Sequence, residues 1–304
     1  MAVTNTDMRG KTVLITGGTG GIGKATATGL ANLGAAVLIT GRDRSRGEAA
    51  VAEIRQQSGN QAVELLLADM SSQWGIRQLA QHVIDTYPRL DVLINNVGGL
   101  YAQRWETEDG IEATLAVTHL APFLLTHALL PLLKASAPAR IVNVTSSGHR
   151  YTKLDLNDLQ SSKAYKGIEA YNRAKLVNLI VSYEFARRLA GTGVTLNLAD
   201  PGGANTTMTN SAAAPWFFRT LMRVLPNLLT TEKAARSSIY LASSPEVAST
   251  SGTYFSPRMK AIRSSKASYD TDLVKQLWQI SEELTGLHAK RDRDGVALEQ
   301  FNVA

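Results

Sequence analysis

The sequence predicts an α/β protein in which a doubly wound parallel sheet is covered by helices on both faces. Short runs rich in β-branched residues alternate with longer stretches of helical periodicity, which is the order typical of parallel sheets. Consecutive apolar residues, as at 13–15 and 92–94, indicate central strands with neither face in water. The predicted strands are residues 11–16, 35–40, 62–67, 90–95, 140–145 and 194–199.

The alternation continues along most of the chain, which predicts one domain over residues 1–287. No linker rich in Pro, Gly or Ser interrupts it, and no repeat with a period of about 20 to 50 residues is visible. Residues 288–304 carry alternating charges without an apolar period, so we expect a flexible tail there.

The composition narrows the classes of function. The absence of cysteine excludes disulfides, thiolate catalysis and cysteine metal sites, and it fits a reduced cytoplasm. Lys and Arg give a net charge of +6 but are scattered, so we expect no nucleic-acid partner and attribute the excess to a phosphorylated cofactor and a solvated surface. Because no signal segment and no apolar run near the roughly 20 residues of a membrane span is visible, we expect a cytoplasmic protein without a transmembrane segment.

A glycine-rich turn follows the first strand and leads into a helical stretch, an arrangement typical of the Rossmann fold. Its glycines permit positive φ, close approach of backbone to phosphate and tight packing of helix on strand. The helix N-terminus would hold a pyrophosphate. The alternative is a simple tight connection, since such a turn alone is weak evidence. The residues of the turn predicted to contact a dinucleotide are Gly17, Thr19, Gly21, Ile22 and Gly23.

The residues after the second strand favour NADP(H) over NAD(H). NAD sites usually offer a carboxylate to the ribose 2′-OH here, but this chain has Gly41 at that position. Arg42, with Arg44 or Arg46, can bind a 2′-phosphate through charge-assisted hydrogen bonds. The alternative is a solvated arginine at the start of a helix, and Asp43 complicates the choice of cofactor.

Three side chains near the carboxyl edge of the sheet indicate proton transfer. Ser146 follows the fifth strand, at the edge where open α/β folds bind ligands. Tyr171 and Lys175 lie four residues apart and share one helix face. An ammonium about 4 Å from the phenol would lower the tyrosine pKa from about 10. Tyr171 could then exchange a proton with a carbonyl or alcohol oxygen, while Ser146 orients that oxygen.

Over residues 8–287 the order of these motifs resembles the short-chain dehydrogenase/reductase family. The motifs are the glycine turn at 16–23, the Asn-Asn-Val-Gly segment at 95–98, Ser146, Tyr171 with Lys175, and Pro201 and Gly202 followed by Thr206. The spacer 154–159 and the segment 277–284 resemble the branch of retinol dehydrogenases and WW-domain oxidoreductases. That branch implies lipophilic alcohols, aldehydes or ketones as substrates.

The resemblance also implies further contacts with the cofactor, besides those of Tyr171 and Lys175. The implied residues are Asn96 and Gly98 on the adenosine side, Asp69 at the adenine, Pro201 and Thr206 at the nicotinamide carboxamide, and in addition Met70 and Gly202. The structural alternatives are that Asn96 stabilises the turn after the fourth strand and that Asp69 caps the next helix.

One departure concerns the fourth catalytic position, where the family has Asn and this chain has Thr118. In the family the main chain at this position is thought to hold a water that links the lysine to solvent. Pro122 has no N–H, so in a helix the Thr118 carbonyl would be free to bind such a water. We therefore expect the proton relay to survive. The alternative is an NADP(H)-binding regulatory protein with weak or no turnover.

Residues 203–230 occupy the place of the family's substrate lid. A polar stretch runs into an apolar stripe that begins at Trp216, which predicts an apolar roof over the pocket. An interfacial helix with peripheral membrane contact is the alternative. His119 and His149 have no partner at metal-ligand spacing, so no metal is expected. The substrate, the direction of reaction and the oligomeric state stay open, with a homodimer or homotetramer among the options.

Overall fold

The computed structural model describes residues 6–203 and 229–287, and the centre of this part is a parallel sheet of seven strands. The order across the sheet is β3-β2-β1-β4-β5-β6-β7. The first strand lies near the middle and the chain winds outwards in both directions, which confirms the predicted doubly wound α/β fold. The strands are β1 (Thr12–Ile15), β2 (Ala36–Gly41), β3 (Val63–Leu67), β4 (Val92–Asn95), β5 (Ala139–Val144), β6 (Val194–Ala199) and β7 (Tyr254–Phe255).

All six predicted strands form, and their ends differ from the prediction by at most two residues. Strand β7 is missing from the prediction because a strand of two residues is too short to show a period. It is nevertheless buried and pairs with the carboxyl end of β6, where Leu198 lies opposite Tyr254.

Helices cover both faces of the sheet. They are α1 (Gly21–Asn32), α2 (Arg44–Ser58), α3 (Gln73–Thr86), α4 (Ala113–Leu115), α5 (Ala121–Ala135), α6 (Gly167–Arg188), α7 (Thr231–Ser243) and α8 (Thr271–Leu284). Successive strand residues point to opposite sides. In β1, Leu14 therefore packs with α3, α5, α6 and α8, whereas Val13 and Ile15 pack with α1, α2 and α7. The sheet thus separates two hydrophobic cores.

A π-helix, Ala116–Leu120, joins α4 to α5. The N–H of Ala121 donates to the carbonyl of Ala116, five residues back. The expectation of a regular α-helix through Thr118 is therefore wrong over this stretch. Because Pro122 in the first turn of α5 has no N–H, the regular ladder of bonds to the fourth preceding residue cannot pass through it, and the helix widens locally.

The whole helical run Ala113–Ala135 is long and apolar enough to cross a membrane, contrary to the expectation from the sequence. Its most apolar stretch is 72% buried inside the protein. The run packs against α3 on one side and α6 on the other. These contacts are those of a core helix, which has the same apolar composition as a membrane span.

Some predictions fall outside the described residues. They are Thr206, nearly all of the lid 203–230 with its apolar stripe from Trp216, and the tail 288–304. The two ends of the lid segment are described, and they meet: the N–H of Leu229 donates to the carbonyl of Gly203 at 2.9 Å. The two described ends of this segment therefore lie next to each other beside Gly202.

Candidate active site

The glycine turn after β1 makes a close-fitting cradle. Gly17 has a φ of +67°, a conformation that favours glycine. A Cβ atom on Gly23 would lie 2.3 Å from the carbonyl oxygen of Gly17, so a side chain there would fill the turn. No side chain caps the start of α1 and no acidic residue lies in its first turn, so its free N–H groups and helix dipole are available to an anion. The turn fits the pyrophosphate of a dinucleotide.

Two adjoining cavities open at the carboxyl edge of the sheet, with volumes of about 500 Å³ and 240 Å³. Both are lined by Gly17, Thr19, Arg46 and Gly98, so together they form one continuous cleft. The other predicted site residues divide between them. The larger cavity is lined by Gly21, Ile22, Gly23, Asn96, Ser146, Tyr171, Lys175, Pro201 and Gly202. The smaller is lined by Arg42, Asp69 and Met70.

At the end of β2 the smaller cavity is lined by two arginines, Arg42 and Arg46. Arg44 instead pairs with Glu48 on the helix surface at 3.4 Å. The Oδ1 atom of Asp43 accepts a bond from the N–H of Arg46 at 2.9 Å and so caps α2. This bond lowers the pKa of the Asp43 carboxyl. Asp43 still lines the smaller cavity, and its carboxylate stays ionised, so it continues to complicate the choice of cofactor.

A side chain at Gly41 would require the side chain of Thr19 to move. A Cβ atom there would lie 2.4 Å from the Cγ2 methyl of Thr19, well inside van der Waals contact. The methyl group of Thr19 therefore occupies the space that an acidic side chain at position 41 would need.

The polar residues of the adenosine side hold the backbone as well as lining the cleft. The Nδ2 of Asn96 donates to the carbonyl of Thr16 at 2.9 Å, which joins the β4 loop to the glycine turn. The structural alternative for Asn96 is thus correct, without removing it from the cavity wall. The alternative for Asp69 is wrong, because Ser72 caps α3. Tyr101 also lines the smaller cavity, and nothing in the local sequence marks it.

Ser146 lies two residues beyond β5, where its extended backbone leads into a short 3₁₀ helix, Ser147–Tyr151. Its Oγ accepts a bond from the N–H of Gly148 at 3.2 Å. Its carbonyl oxygen accepts a bond from Nδ1 of the buried His149 at 2.6 Å. His149 therefore positions the serine, a role that the sequence did not indicate. Among the described residues no group of three or more His, Cys, Asp or Glu side chains could hold a metal.

Tyr171 and Lys175 project from α6 into the larger cavity. The Nζ of Lys175 donates to the carbonyl of Val144 at 2.7 Å and lies 5.8 Å from the centre of the Tyr171 ring. Burial raises the pKa of Tyr171 to about 12, and a hydrogen bond with Ser146 offsets part of that rise. Burial lowers the pKa of Lys175 to about 8.

The expectation that the pKa of Tyr171 lies below its ordinary value is therefore wrong for this structure. Desolvation is the largest cause of the shift, and it disfavours the charged form of each group: phenolate for tyrosine and ammonium for lysine. At neutral pH Tyr171 is therefore a neutral phenol. Lys175 is an ammonium that loses its proton more easily than an exposed lysine does.

Thr118 does not line either cavity. It is 1% exposed, and its Oγ1 accepts a bond from the N–H of Gly99 at 3.1 Å. A Cβ atom on Gly98 would lie 3.6 Å from Nζ of Lys175 and 3.8 Å from Oγ1 of Thr118, so the Gly98 backbone packs between the two side chains. Thr118 therefore anchors the loop that covers the lysine. That the main-chain carbonyl of Thr118 binds a water stays a prediction.

The comparisons with known proteins agree with this geometry. Residues 11–215 match the short chain dehydrogenase family. The chain belongs to this family of oxidoreductases, which act on alcohol or carbonyl groups with a nicotinamide cofactor.

Within the family, the chain is similar to retinol dehydrogenases, as the sequence predicts. Retinol dehydrogenase 14 of Mus musculus is 40% identical over 294 residues, which cover 92% of this chain and 87% of the relative. Retinol dehydrogenase 12 of Homo sapiens is 38% identical and is matched over 93% of this chain and 89% of its own length.

Solved structures share the fold. An uncharacterized protein from Mycobacterium paratuberculosis has a TM-score of 0.75 and 30% identity, with 92% of this chain and 95% of that chain covered. The RhlG/NADP active-site complex of Pseudomonas aeruginosa has a TM-score of 0.66 and 27% identity, with 84% and 97% covered.

Proposed function

We propose that this protein is an NADP(H)-dependent oxidoreductase that transfers hydride between the nicotinamide and a carbonyl or alcohol carbon of a lipophilic substrate. The observation that carries the proposal is the convergence of Ser146, Tyr171 and Lys175 on the cavity that also contains the glycine turn. The bound dinucleotide supplies or accepts the hydride. The protein has to bind the substrate oxygen and move a proton to or from it.

Tyr171 is the proton donor when a carbonyl is reduced. Its high pKa keeps the hydroxyl protonated at neutral pH, so that a proton is available to the substrate oxygen. Ser146, whose Oγ is held by the N–H of Gly148, donates a bond to the same oxygen and orients it. Lys175 is largely cationic at neutral pH, and its charge stabilises the phenolate left on Tyr171.

The test of turnover is oxidation of NADPH, followed by absorbance, against a panel of aldehydes, ketones and quinones. Wild-type protein should consume NADPH with at least one class, and Tyr171→Phe protein should not. NADPH binding by both proteins without turnover on any class would favour the regulatory alternative.

The preference for NADP(H) rests on Arg42 and Arg46 in the smaller cavity and on the absence of an acid at Gly41. Two guanidinium groups can bind a 2′-phosphate through bidentate, charge-assisted bonds. The similar Pseudomonas aeruginosa structure is itself a complex with NADP.

Calorimetry should give a dissociation constant for NADPH about tenfold to a hundredfold below that for NADH, since each such bond is worth about 1.5 to 3 kcal/mol. Arg42→Ala should weaken NADPH and leave NADH nearly unchanged. Arg44→Ala is the matched control, because Arg44 pairs with Glu48 away from the cavity. Equal affinity for both cofactors would overturn the preference.

The preference for lipophilic substrates rests on Leu100, Tyr151 and Ile168, which line the larger cavity with Tyr171. The similar retinol dehydrogenases are named after retinol, which is a lipophilic alcohol. Burial of one added methylene is worth about 0.8 kcal/mol, so kcat/KM should rise roughly threefold to fourfold per carbon in a series of short aliphatic aldehydes. A flat series would count against an apolar pocket.

A further inference from the structure

A buried carboxylate, that of Asp200, lies directly behind the active site at the end of β6. Asp200 is 5% exposed, and both of its oxygens accept hydrogen bonds. Oδ2 accepts from the hydroxyl of Tyr254 on β7 at 2.6 Å, and Oδ1 accepts from the N–H of Gly202 at 2.9 Å. Within residues 6–203 and 229–287, no ion pair neutralises this carboxylate.

The register of the sheet brings Asp200 close to the catalytic lysine. Val144, whose carbonyl accepts the bond from Lys175, lies opposite Ala199 in the β5–β6 pair. Asp200 is the next residue along the chain after β6. Its negative charge raises the pKa of Lys175 against the larger effect of burial, and it adds to the rise of the pKa of Tyr171.

The other charged and titratable groups around this region do not replace Asp200. His149 is engaged by the carbonyl of Ser146, and burial lowers its pKa. The guanidinium of Arg150 lies 5.9 Å from the ring centre of Tyr254. On the side of Thr118, the imidazole of His119 bonds to Ser281.

Asp200 also determines the path of the chain along the cleft. Gly202 has a φ of +73° and, with Pro201, lines the larger cavity. The Oγ of Ser237 on α7 donates to the carbonyl of Asp200 at 3.1 Å. Strand β7, helix α7 and the turn itself therefore meet at one aspartate.

We propose that Asp200 is a positioning residue with two separable effects: its hydrogen bonds hold the Pro201–Gly202 turn in its cofactor-binding shape, and its charge keeps Lys175 cationic beside Tyr171. The inference rests on the proposed carbonyl reduction. An isolated buried carboxylate is costly unless neighbouring charge or hydrogen bonds compensate for it. A cationic Lys175 supplies that compensation, although it forms no direct ion pair with Asp200.

Two variants separate the effects. Asp200→Asn keeps the shape and an oxygen for the N–H of Gly202, but it removes the charge. Tyr254→Phe keeps the charge but removes one of the two hydrogen bonds. The measurements are the pH profile of kcat/KM for carbonyl reduction and the dissociation constant of NADPH from its fluorescence.

Reduction needs protonated Tyr171 and charged Lys175, so the rate falls as pH rises through the lower of their pKa values. Removal of the Asp200 charge lowers both pKa values, and the alkaline limb of the Asp200→Asn profile should move about one pH unit towards acid. Its NADPH affinity should stay near wild type. In Tyr254→Phe the limb should stay in place, while the dissociation constant of NADPH rises about threefold to tenfold.

An unshifted limb in Asp200→Asn would overturn the proposed effect of charge, and unchanged NADPH affinity in Tyr254→Phe would overturn the effect on the turn. If Asp200→Asn fails to fold, Asp200→Ser removes the same charge and leaves space for water, with the same shift expected. Wild-type protein without carbonyl reduction would contradict the proposed function, whereas the NADPH measurement would still test the turn.

Discussion

A buried aspartate lies at the amino end of β4, another lies at the carboxyl end of β6, and the two are stabilised in different ways. At the amino edge, Asp91 is 2% exposed and accepts bonds from the side chains of Lys11 and Arg89 and from the N–H of Thr12. Burial acts to raise the pKa of Asp91, but these bonds together hold it below its ordinary value. At the carboxyl edge, the donors to Asp200 among residues 6–203 and 229–287 are neutral, a phenol and a backbone N–H.

This difference in hydrogen-bond partners indicates that Asp91 has a structural role and Asp200 a functional one. The charge of Asp91 is neutralised where it lies, so it joins β4 to β1 and acts on little else. The charge of Asp200 is not cancelled locally, and its field reaches the groups that exchange protons. Substitutions at the two edges should therefore change different quantities, stability at one and turnover at the other.

Tyr171→Phe should have the largest effect on turnover. Loss of a positioned proton donor costs on the order of a thousandfold in kcat/KM, while the melting temperature should not fall, because only a cleft hydroxyl is removed. Tyr183→Phe is the matched control, since Tyr183 lies on the same helix and its hydroxyl bonds to Ser264 away from the cavity. If Tyr171→Phe keeps more than a tenth of the activity, another group is the proton donor.

Asp91→Asn should lower stability and leave turnover almost unchanged. Loss of the charge from a buried carboxylate with two half-exposed cations should reduce the free energy of unfolding by about 2 kcal/mol at neutral pH, measured by urea denaturation. A carboxyl with a lowered pKa stabilises the fold above its unfolded pKa and loses that contribution as pH falls through its folded pKa. The gap between wild type and variant should therefore close in acid, and a gap that does not change with pH would exclude a charge effect.

Thr118→Val should weaken turnover about tenfold, because the N–H of Gly99 loses its acceptor and the loop over Lys175 loosens. Thr118→Ser keeps the hydroxyl and should stay close to wild type. This pair separates the side chain from the carbonyl of residue 118, which neither substitution alters. Equal activity of both variants would leave the carbonyl as the functional group.

Lys11→Met should have the smallest effect, below about 1 kcal/mol in the free energy of unfolding. Its side chain is 38% exposed, and Arg89 still pairs with Asp91 after the change. Arg89→Met should behave alike, whereas the double variant should lose more than the sum of the two, because it leaves the buried carboxylate without any cation. Additive losses would mean that the two cations act independently.

The sequence predicts the fold well because the fold depends on local periodicity. The consecutive apolar residues at 13–15 predict a central strand with neither face in water, and in the structure Leu14 and its neighbours lie in hydrophobic cores on opposite faces of the sheet. The sequence also predicts that the helix lacks one hydrogen bond at Pro122, because proline has no N–H. It does not predict how the helix responds, because the π-helix at Ala116–Leu120 depends on packing against α6 as well as on the missing bond.

The candidate site divides in the same way. The residues in motifs, such as Arg42 and Tyr171, lie along the cleft that the motifs indicate. The pKa of Tyr171 could not be predicted, because desolvation depends on the surrounding atoms. The roles of His149 and Asp200 were missed because they come from contacts without a motif; Asp200 and Tyr254 are 54 residues apart.

The contact between Gly41 and Thr19 bears on how substitutions could change cofactor preference. An acid introduced at Gly41 alone would collide with the Thr19 methyl, at 2.4 Å from its Cβ. Thr19→Ser removes that methyl and should be nearly silent by itself. The two positions are therefore coupled: an acid at residue 41 should raise the affinity for NADH more in a Thr19→Ser background than with Thr19 in place.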